Sequence, residues 1–564
     1  MNTYSPSKDA ASSHAENDGI EADIVVVGFG PVGASLAALL GRYGLRVLVL
    51  DKSTEIFTKP RAIALDNEAL RILQLVGVRD GEFETVAIPE VKYHSPMFGQ
   101  FGRMSTAGIV DGHPMLVTFH QPELERLLRQ KVAYLPNVEV RLGVELEGLV
   151  DDGQRVHARI KTAQGQVAQI RARYLVGCDG ANSLVRRLLG LEFEGQTFTQ
   201  DWLIVDALNV PNPIDHIEFI CDPRRPTPHM VAPGGRQRWE FMLHPGEDAG
   251  KMESPESVRR LLAPWCDVDQ IHIERTAVYR FHAREAKSFS KGRCFLAGDA
   301  AHITPPFAGQ GLVAGLRDVA NLAWKLAWVV RGRAGAQILD SYNAERRPHA
   351  MKIIKLALFL GSLVMPSNRW IAFALHGLIR AIRTLPAGRR LFDDLKIKPE
   401  NTFEEGLFFR NPHKEWLRAG ASMPQCWVRA PGGQPMLSDE ALGLNWALIG
   451  VGVDPGTRLN SEQAARWKAV GGQVWQWCQR SQGLHLAPQA HRLEALDEGL
   501  VPRKAPLGWV FLVRPDRCVM AEGHETQVHA LLEKALALIE PASAARPGRL
   551  DHSVSDTRIA THAS

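Results

Sequence analysis

Near the N-terminus, short apolar runs alternate with a helical pattern. Residues 23–27 and 46–50 are apolar runs rich in β-branched side chains, and each has the length of a buried strand. Between them, residues 34–42 are rich in alanine and leucine, which favour a helix. This order of strand, helix and strand within about 30 residues predicts a βαβ unit with two parallel strands.

Two more buried strands and a long helix are predicted further along the chain. Residues 175–180 and 293–298 are apolar runs that end in Asp-Gly and Gly-Asp, respectively. From Leu312, apolar side chains at 312, 316, 319, 323, 326 and 330 follow helical spacing. We therefore expect a long amphipathic helix directly after the glycine-rich turn at 309–311.

Residues 200–285 have a different pattern. The segments 202–207 and 238–243 indicate strands of a largely antiparallel sheet, and turns rich in proline and glycine separate them. Toward the C-terminus, the strand-like runs 446–451 and 509–513 flank helical segments. These changes of pattern predict at least three structural regions.

The composition is that of a globular protein with several domains. A chain of 564 residues exceeds the size at which one core suffices, so two or three domains are expected. The net charge of +4 is small for this length and gives no reason to expect a nucleic-acid partner. The seven cysteines form no CxxC motif, so we expect neither a redox dithiol nor a metal site. These features favour a reducing, cytoplasmic compartment.

Neither a signal peptide nor a membrane span is predicted. Residues 1–20 are polar and lack the apolar centre of a signal peptide. The apolar stretch at 356–365 is about half of the ~20 residues that a helix needs to cross a bilayer. We therefore expect no stable membrane insertion, and we interpret 356–365 as a buried or partner-facing helix.

The first candidate site is a glycine-rich turn between the first predicted strand and helix. Gly28, Gly30, Pro31 and Gly33 belong to a GxGxxG motif. In such a motif the first glycine makes the tight turn, the second lets a pyrophosphate approach, and the third allows close packing. Asp51 follows Gly28 by 23 residues and ends the next strand, where a carboxylate accepts from ribose hydroxyls. The motif predicts a dinucleotide on the helix N-terminus.

A second glycine-bearing fingerprint predicts that the dinucleotide is FAD. It comprises Gly298 and Asp299, then Pro306, and then Gly309, Gly311 and Leu312 at the start of the long helix. We expect Asp299 to bond a ribityl hydroxyl. The N–H groups and dipole of the long helix would face the electron-rich N1–C2=O side of the reduced flavin. The alternative is an aspartate that only caps a helix.

A third element carries a family resemblance. The segment 174–186 contains Asp179-Gly180 between the two fingerprints. In this order, the GxGxxG, Asp-Gly and Gly-Asp elements resemble the single-component flavoprotein aromatic hydroxylases, the family of para-hydroxybenzoate and phenol hydroxylases. The resemblance runs from about residue 20 to about residue 540.

The resemblance implies an α/β fold with an FAD-binding Rossmann-like domain, an inserted, mainly antiparallel substrate domain and a thioredoxin-like C-terminal domain without CxxC. We place disordered tails at both ends and divide the chain accordingly. The segments are tail (1–20), FAD domain (21–199), substrate sheet (200–285), FAD-domain return with long helices (286–400), thioredoxin-like domain (401–540) and tail (541–564).

The resemblance also implies cofactors and roles. NADH or NADPH would reduce FAD, and O2 would supply the oxygen that hydroxylates a phenol ortho to its hydroxyl. The substrate would be a phenolic acid such as 3-(3-hydroxyphenyl)propionate. Arg61 would lie near the flavin, Gln121 would contact FAD, and Asp179 would help to hold the nicotinamide nucleotide and the FAD pyrophosphate.

The base that activates the phenol is not assigned by the sequence. Asp66 and His302 are close in the chain to flavin-contacting segments, but helix capping and packing explain them equally well. Arg238 is a candidate cation for a propionate group, with an ordinary strand-surface arginine as the alternative. The segment 304–309, with its Pro-Pro-Phe turn, differs from what we expect in phenylpropionate enzymes.

Two other functions stay open at the level of sequence. The Pro-Pro-Phe turn is compatible with a hydroxylase of bulkier phenolic or polyketide rings. A protein of another class, an inactive flavin-binding scaffold, would keep the fold without the chemistry. The C-terminal module makes a homodimer plausible in either case.

Overall fold

The computed structural model describes residues 22–58, 62–366, 368–388, 399–411, 415–479, 491–497 and 505–541. The two predicted tails lie outside these ranges, apart from Pro541. Arg61, for which a role at the flavin is predicted, also lies outside them.

Within the described ranges the strands share three large sheets and two small ones. In chain order they are β1 (Ala22–Val27), β2 (Val47–Asp51), β3 (Ala64–Asp66), β4 (Thr85–Ala87), β5 (Glu90–Ser95), β6 (Gly99–Ser105), β7 (Ile109–Val110), β8 (His113–Pro114), β9 (Leu116–Phe119), β10 (Val138–Leu142), β11 (Val144–Asp151), β12 (Val156–Thr162), β13 (Val167–Gly177), β14 (Phe193–Leu208), β15 (Ile217–Ile220), β16 (Thr227–Ala232), β17 (Arg236–Met242), β18 (His272–Ala286), β19 (Ser290–Lys291), β20 (Cys294–Leu296), β21 (His302–Ile303), β22 (Trp427–Arg429), β23 (Pro435–Leu437), β24 (Trp446–Val451), β25 (Gly472–Cys478), β26 (Arg492–Ala495), β27 (Trp509–Val513) and β28 (Val519–His524).

The α-helices lie in the same ranges of the chain. In chain order they are α1 (Pro31–Arg42), α2 (Asn67–Val76), α3 (Gln121–Ala133), α4 (Leu184–Leu188), α5 (Ala249–Met252), α6 (Pro255–Leu262), α7 (Gly311–Val330), α8 (Asp340–Val364), α9 (Arg369–Ile382), α10 (Ser438–Leu442), α11 (Ser461–Ala469) and α12 (Val528–Ile539).

The first sheet has the strand order β10-β2-β1-β13-β12-β11, with β20 beside β13 and β19 beside β20. Strands β10, β2, β1, β13 and β20 are parallel neighbours, which confirms the predicted βαβ unit. The predicted run at 175–180 corresponds to the end of β13, which begins eight residues earlier, and the run at 293–298 contains β20. Because the carboxyl ends of parallel strands share one edge, this sheet brings together the turns that follow β1, β13 and β20.

The second sheet has the order β21-β18-β14-β17-β16-β15-β5-β6 and is mainly antiparallel. The predicted strand at 202–207 lies in β14, and the one at 238–243 lies in β17 except for its last residue. Two earlier strands, β5 and β6, complete the sheet, and β5 pairs in parallel with β15. The segment 200–285 therefore supplies only part of this sheet, which also draws strands from the predicted FAD domain.

The C-terminal sheet has the order β23-β22-β26-β25-β24-β27-β28. The predicted strands at 446–451 and 509–513 are β24 and β27, and they pair antiparallel. Strand β25 runs parallel to both β24 and β26, and α11 connects β24 to β25. The thioredoxin-like relationship of this module stays a prediction.

Helix α7, predicted as a long amphipathic helix, is instead buried along most of its length and carries charged groups inside the protein. The Arg317 guanidinium pairs with Asp66 at 3.1 Å, at the start of α2. Asp318 pairs with Arg346 of α8 at 2.9 Å, and neither side chain is exposed. A buried charge is stable only when it is paired, so these ion pairs fix α7 against its neighbours.

A second buried network joins α7 to the C-terminal module. The Glu345 carboxylate of α8 binds Lys325 of α7 at 2.8 Å and Arg514 at 2.6 Å. All three side chains are fully buried. Burial alone would raise the pKa of Glu345, but Arg514 and Lys325 hold it well below its usual range. The ion pair of Arg71 with Asp439, at 2.7 Å, is another buried link to this module.

In the part of the chain that the structure describes, no single helix has both the length and the apolar character needed to cross a membrane. One pair of helices, Ala336–Val364 with Arg369–Ile382, meets these criteria only when taken together, and it is bent by 111°. The apolar stretch at 356–365 falls almost wholly in α8, where Leu360, Leu363 and Val364 are buried.

We predict that Glu345→Gln lowers the free energy of unfolding by about 3–5 kcal/mol, because it leaves Arg514 and Lys325 buried without the negative charge that they share. Chemical denaturation followed by tryptophan fluorescence measures the change. The matched control is Glu494→Gln, which weakens the partly exposed pair with Arg429 and should cost no more than about 1 kcal/mol. Equal losses in the two variants would contradict the assignment.

Candidate active site

The first glycine turn connects β1 to α1 and is tightly packed on one side. An added Cβ at Gly28 would lie less than 3.0 Å from the carbonyl oxygen of Cys178, and Gly28 has a φ of +102°. An added Cβ at Gly33 would collide with the carbonyl oxygen of Gly28. Gly30 is different, because an added Cβ there would meet nothing within 4 Å. The turn is closed at its ends and open at Gly30.

The N-terminus of α1 opens into a cavity. Gly30 is its N-cap and supplies no side-chain hydrogen bond, and Pro31 occupies the first turn. Both residues line the cavity. The first N–H groups of a helix have no partner within the helix, so this end offers uncapped donors and a partial positive charge to an anion.

Asp51 ends β2 beside the same turn. Its Oδ2 accepts a hydrogen bond from the Phe29 N–H at 2.6 Å, and its Oδ1 accepts from the Ser53 N–H at 2.8 Å. These bonds fix the carboxylate at the carboxyl edge of the parallel strands. That position agrees with the one predicted for a ribose-binding carboxylate.

The second glycine turn follows β20 and leads into α7. The Gly298 N–H donates to Asp318 Oδ2 at 3.0 Å. The next residue, Asp299, lines the cavity, as do Pro306 and Gly309. The turn ends where Gly311 begins α7, which has no side-chain cap at its N-terminus.

Gly311 and Leu312 line the cavity too, so two helix N-termini face one space. The volume of this cavity is about 1360 Å³. It extends from the two glycine turns to the inner face of the second sheet. On that face the lining is largely apolar, with Tyr93, Phe219, Met230 and Phe281 among its members, and Phe307 of the second glycine turn lines the cavity too.

Comparisons with known proteins identify the family. Residues 21–357 match the model of the FAD binding domain, and residues 420–538 match that of the HcaD C-terminal domain. The protein belongs to the FAD-dependent aromatic hydroxylases. It is a flavoprotein monooxygenase that uses FAD, NAD(P)H and O2.

Two relatives of this hydroxylase are named 3-(3-hydroxy-phenyl)propionate/3-hydroxycinnamic acid hydroxylase. The protein from Klebsiella pneumoniae subsp. pneumoniae is 36% identical over 473 residues, which is 84% of each chain. The protein from Escherichia coli K12 is 36% identical over 450 residues, which cover 79% of this chain and 81% of the relative.

Solved structures share the fold. The flavin-dependent monooxygenase PieE, in complex with FAD and substrate, has a TM-score of 0.76 at 21% identity and covers 92% of this chain and 99% of its own. The p-nitrophenol 4-monooxygenase PnpA from Pseudomonas putida has a TM-score of 0.60 at 27% identity, covering 66% of this chain and 96% of its own.

The residues of the two turns fit FAD. The space beside Gly30 and the uncapped start of α1 suit a pyrophosphate, and the uncapped start of α7 suits the electron-rich edge of a reduced flavin. When bound, FAD accepts hydride from NAD(P)H and activates O2 for transfer of one oxygen atom. The contacts of Asp51 and Asp299 with ribose and ribityl hydroxyls stay predictions.

The side chains of Asp179 and Gln121 both accept hydrogen bonds from neighbouring residues of the protein. Asp179 accepts from the Ser183 Oγ at 2.5 Å and from the Leu184 N–H at 2.7 Å, so it fixes the start of α4. Its neighbour Gly180 lines the cavity. Gln121 also lines the cavity, and its Oε1 accepts from the Ala62 N–H at 3.1 Å. Any contact of either side chain with a nucleotide stays a prediction.

The two candidate bases, Asp66 and His302, are both engaged in contacts that stabilise the fold. Asp66 Oδ1 accepts from the Ala69 N–H at 2.9 Å and caps α2, while its Oδ2 pairs with Arg317. His302 is 1% exposed, and its Nε2 is 2.7 Å from Asp318 Oδ2. The structure therefore supports helix capping as the role of Asp66 and packing as the role of His302.

The interpretation of Arg238 needs a correction. It is 4% exposed, so it is not a strand-surface arginine. Its guanidinium binds both oxygens of Asp206, at 2.6 and 3.0 Å. A guanidinium already held by a buried carboxylate is not available as the cation for a propionate group. Periodicity could not show this, because Asp206 lies on the neighbouring strand.

Glu240 of β17 lines the cavity and is buried. The sequence pattern alone predicts no role for it. The feature of the sequence that could have pointed to this residue is a carboxylate among the alternating apolar and aromatic residues of the segment 238–243.

We predict that Gly30→Ala folds normally but binds FAD at least about tenfold more weakly, because the methyl group enters open space that the cofactor occupies. The matched variant Gly33→Ala should lose folded protein, since its methyl group collides with the carbonyl of Gly28. FAD titration and the melting temperature of the apoprotein separate the two effects. A Gly30→Ala protein with unchanged FAD affinity would contradict the placement of the pyrophosphate.

Proposed function

We propose that this hydroxylase converts 3-(3-hydroxyphenyl)propionate, or a phenolic acid of similar size, to its catechol in aromatic catabolism, by hydroxylation ortho to the phenol. The names of the two relatives support this substrate class. The observation in the structure that supports it is an aromatic-lined compartment, the part of the cavity beside the second glycine turn that Phe281 and Phe307 line.

Phe307 forms the wall between the turn and the substrate sheet. It is buried, its ring centroid lies 5.7 Å from that of Trp202 and 6.0 Å from that of Phe281, and both contacts are edge-on. Behind it, Gly361 of α8 leaves no room for a side chain, because an added Cβ would lie 2.7 Å from the Phe307 ring. The Pro-Pro-Phe turn therefore places a packed aromatic ring at this side of the compartment, which supports a single-ring substrate over a polyketide.

We also infer a cytoplasmic location and a homodimer. All seven cysteines lie in the described residues and none forms a disulfide, which supports a reducing compartment. The dimer is inferred from the C-terminal module, and sedimentation of the purified holoenzyme tests it.

We predict that 3-(3-hydroxyphenyl)propionate strongly stimulates NAD(P)H oxidation by the purified protein and yields one catechol for each nicotinamide oxidised. Oxygen uptake and product chromatography measure the coupling. Stimulation with only H2O2 as product would contradict this substrate and redirect the search to larger phenols. A protein that binds FAD but does not oxidise NAD(P)H with any phenol would be the inactive flavin-binding scaffold.

We predict that Phe307→Ala lowers the catechol yield per nicotinamide and admits bulkier phenols, because water enters the compartment and its wall is removed. The matched control is Phe101→Ala, a buried phenylalanine of the same apolar cluster. Both variants should lose about 3–5 kcal/mol of stability, but only the first should change specificity. The proposal fails if both variants keep the coupling and substrate range of the wild type.

A further inference from the structure

Glu240 projects from the second sheet into the substrate compartment. Its neighbours in β17, Trp239 and Phe241, pack in an apolar cluster with Val258 of α6 on the other face of the sheet. Side chains alternate along a strand, so Glu240 faces the opposite way. It lines the cavity although it is only 6% exposed.

In the described part of the chain the Glu240 carboxylate accepts no hydrogen bond and joins no ion pair, and Arg238 and Arg275 act on it only through their charge. The nearby Asp206, in contrast, is bound by both arginines. Withdrawing a carboxylate from water without a partner costs several kcal/mol. An unpaired carboxylate aimed into a cavity is therefore a site that a donor on the ligand would satisfy.

The surroundings of Glu240 suit a proton acceptor. The residues beside it on the cavity lining, Phe219, Pro228 and Met230, offer no competing side-chain donor. Burial raises the pKa of Glu240 above its usual value, while the charges of Arg238 and Arg275 act in the opposite direction. A carboxylate with a raised pKa is a stronger base, and general bases work best when their pKa approaches the working pH.

The other carboxylates placed near the two turns are already engaged. Asp66 is bound by Arg317 and caps α2. Asp318 is held by His302 and Arg346 and does not line the cavity. Glu240 is thus largely buried, borders the cavity and makes no hydrogen bond or ion pair with the described residues.

We propose that Glu240 is the catalytic base that binds the phenol hydroxyl and accepts its proton during hydroxylation. This inference rests on the proposed function. The phenol O–H bond breaks and its proton passes to Glu240 Oε, while the electron pair stays on the phenol oxygen and makes the ortho carbon nucleophilic. That carbon takes one oxygen atom of O2, and the other leaves as water. NAD(P)H supplies the two electrons, and the ortho C–H proton is lost as the ring regains aromaticity.

The test compares Glu240→Gln with the wild type in binding and in turnover. Binding of 3-(3-hydroxyphenyl)propionate and of its methyl ether is followed by the change in flavin absorbance of the holoenzyme. We expect the wild type to prefer the phenol by about tenfold or more, because only the phenol donates to a charged acceptor. Glu240→Gln should lose most of this preference.

Turnover gives an independent measure. Glu240→Gln should hydroxylate the parent phenol about 10²- to 10⁴-fold more slowly. It should lose less with a ring-fluorinated substrate, whose phenol ionises more readily and needs a base less. Glu240→Asp, which keeps the carboxylate, should recover part of the rate and of the preference for the phenol.

Glu218→Gln is the matched control. Glu218 lies in β15 of the same sheet between the cavity-lining residues Ile217 and Phe219, and it faces away, toward His229 at 3.1 Å. It should keep the wild-type preference and rate. FAD content and melting temperature show whether each variant is folded.

The outcomes separate this proposal from the proposed function. A wild type that prefers the phenol through Glu240 but makes no catechol would refute the proposed substrate and leave the binding of the phenol hydroxyl by Glu240 supported. A wild type that makes catechol, with a Glu240→Gln variant of unchanged preference and rate, would overturn the role of Glu240 alone. An equal loss on the parent and the fluorinated substrate, with the preference intact, would also overturn it.

Discussion

The buried ion pairs of helix α7 are the constraint on which the site depends. Asp318 accepts from the N–H of Gly298, binds His302 and pairs with Arg346, so one carboxylate holds the second glycine turn to α8. Burial alone would raise the pKa of Asp318, but His302 and Arg346 lower it, and the group stays ionised. One residue earlier, Arg317 reaches the start of α2. The cofactor turn is thus positioned by charges that cannot leave their partners without a large cost.

Much of the fold could be predicted because its signals are local. Apolar runs predicted β1, β2 and the last residues of β13, and the stretch rich in alanine and leucine at 34–42 predicted most of α1, which begins at Pro31. The predicted strand at 446–451 has the same bounds as β24. Strands β5 and β6 pair with each other, and β5 joins them to the substrate sheet through β15. They were not assigned to that sheet, because β15 is more than a hundred positions away and no local pattern specifies that pairing.

The same distinction applies to the site. The glycine positions follow from backbone sterics within a few residues, so a sequence motif can predict them. The state of a charged side chain depends on its partner in space, and for Arg317 that partner, Asp66, is 251 positions away. This explains why Asp66, His302 and Arg238 were open candidates in the sequence. It also explains why Glu240 can be proposed as a base only from the structure, in which no hydrogen bond or ion pair engages its carboxylate.

The C-terminal module takes part in the site, although it carries no CxxC. Leu417, Pro424 and Arg517 line the same cavity as the glycine turns. The module is tied to the FAD domain by buried charges, with Arg514 on Glu345 and Asp439 on Arg71. Exposed ion pairs would allow the module to separate at little cost, but buried ones do not. We infer that its position is fixed because it completes a wall of the cavity, which an independent appended domain would not do.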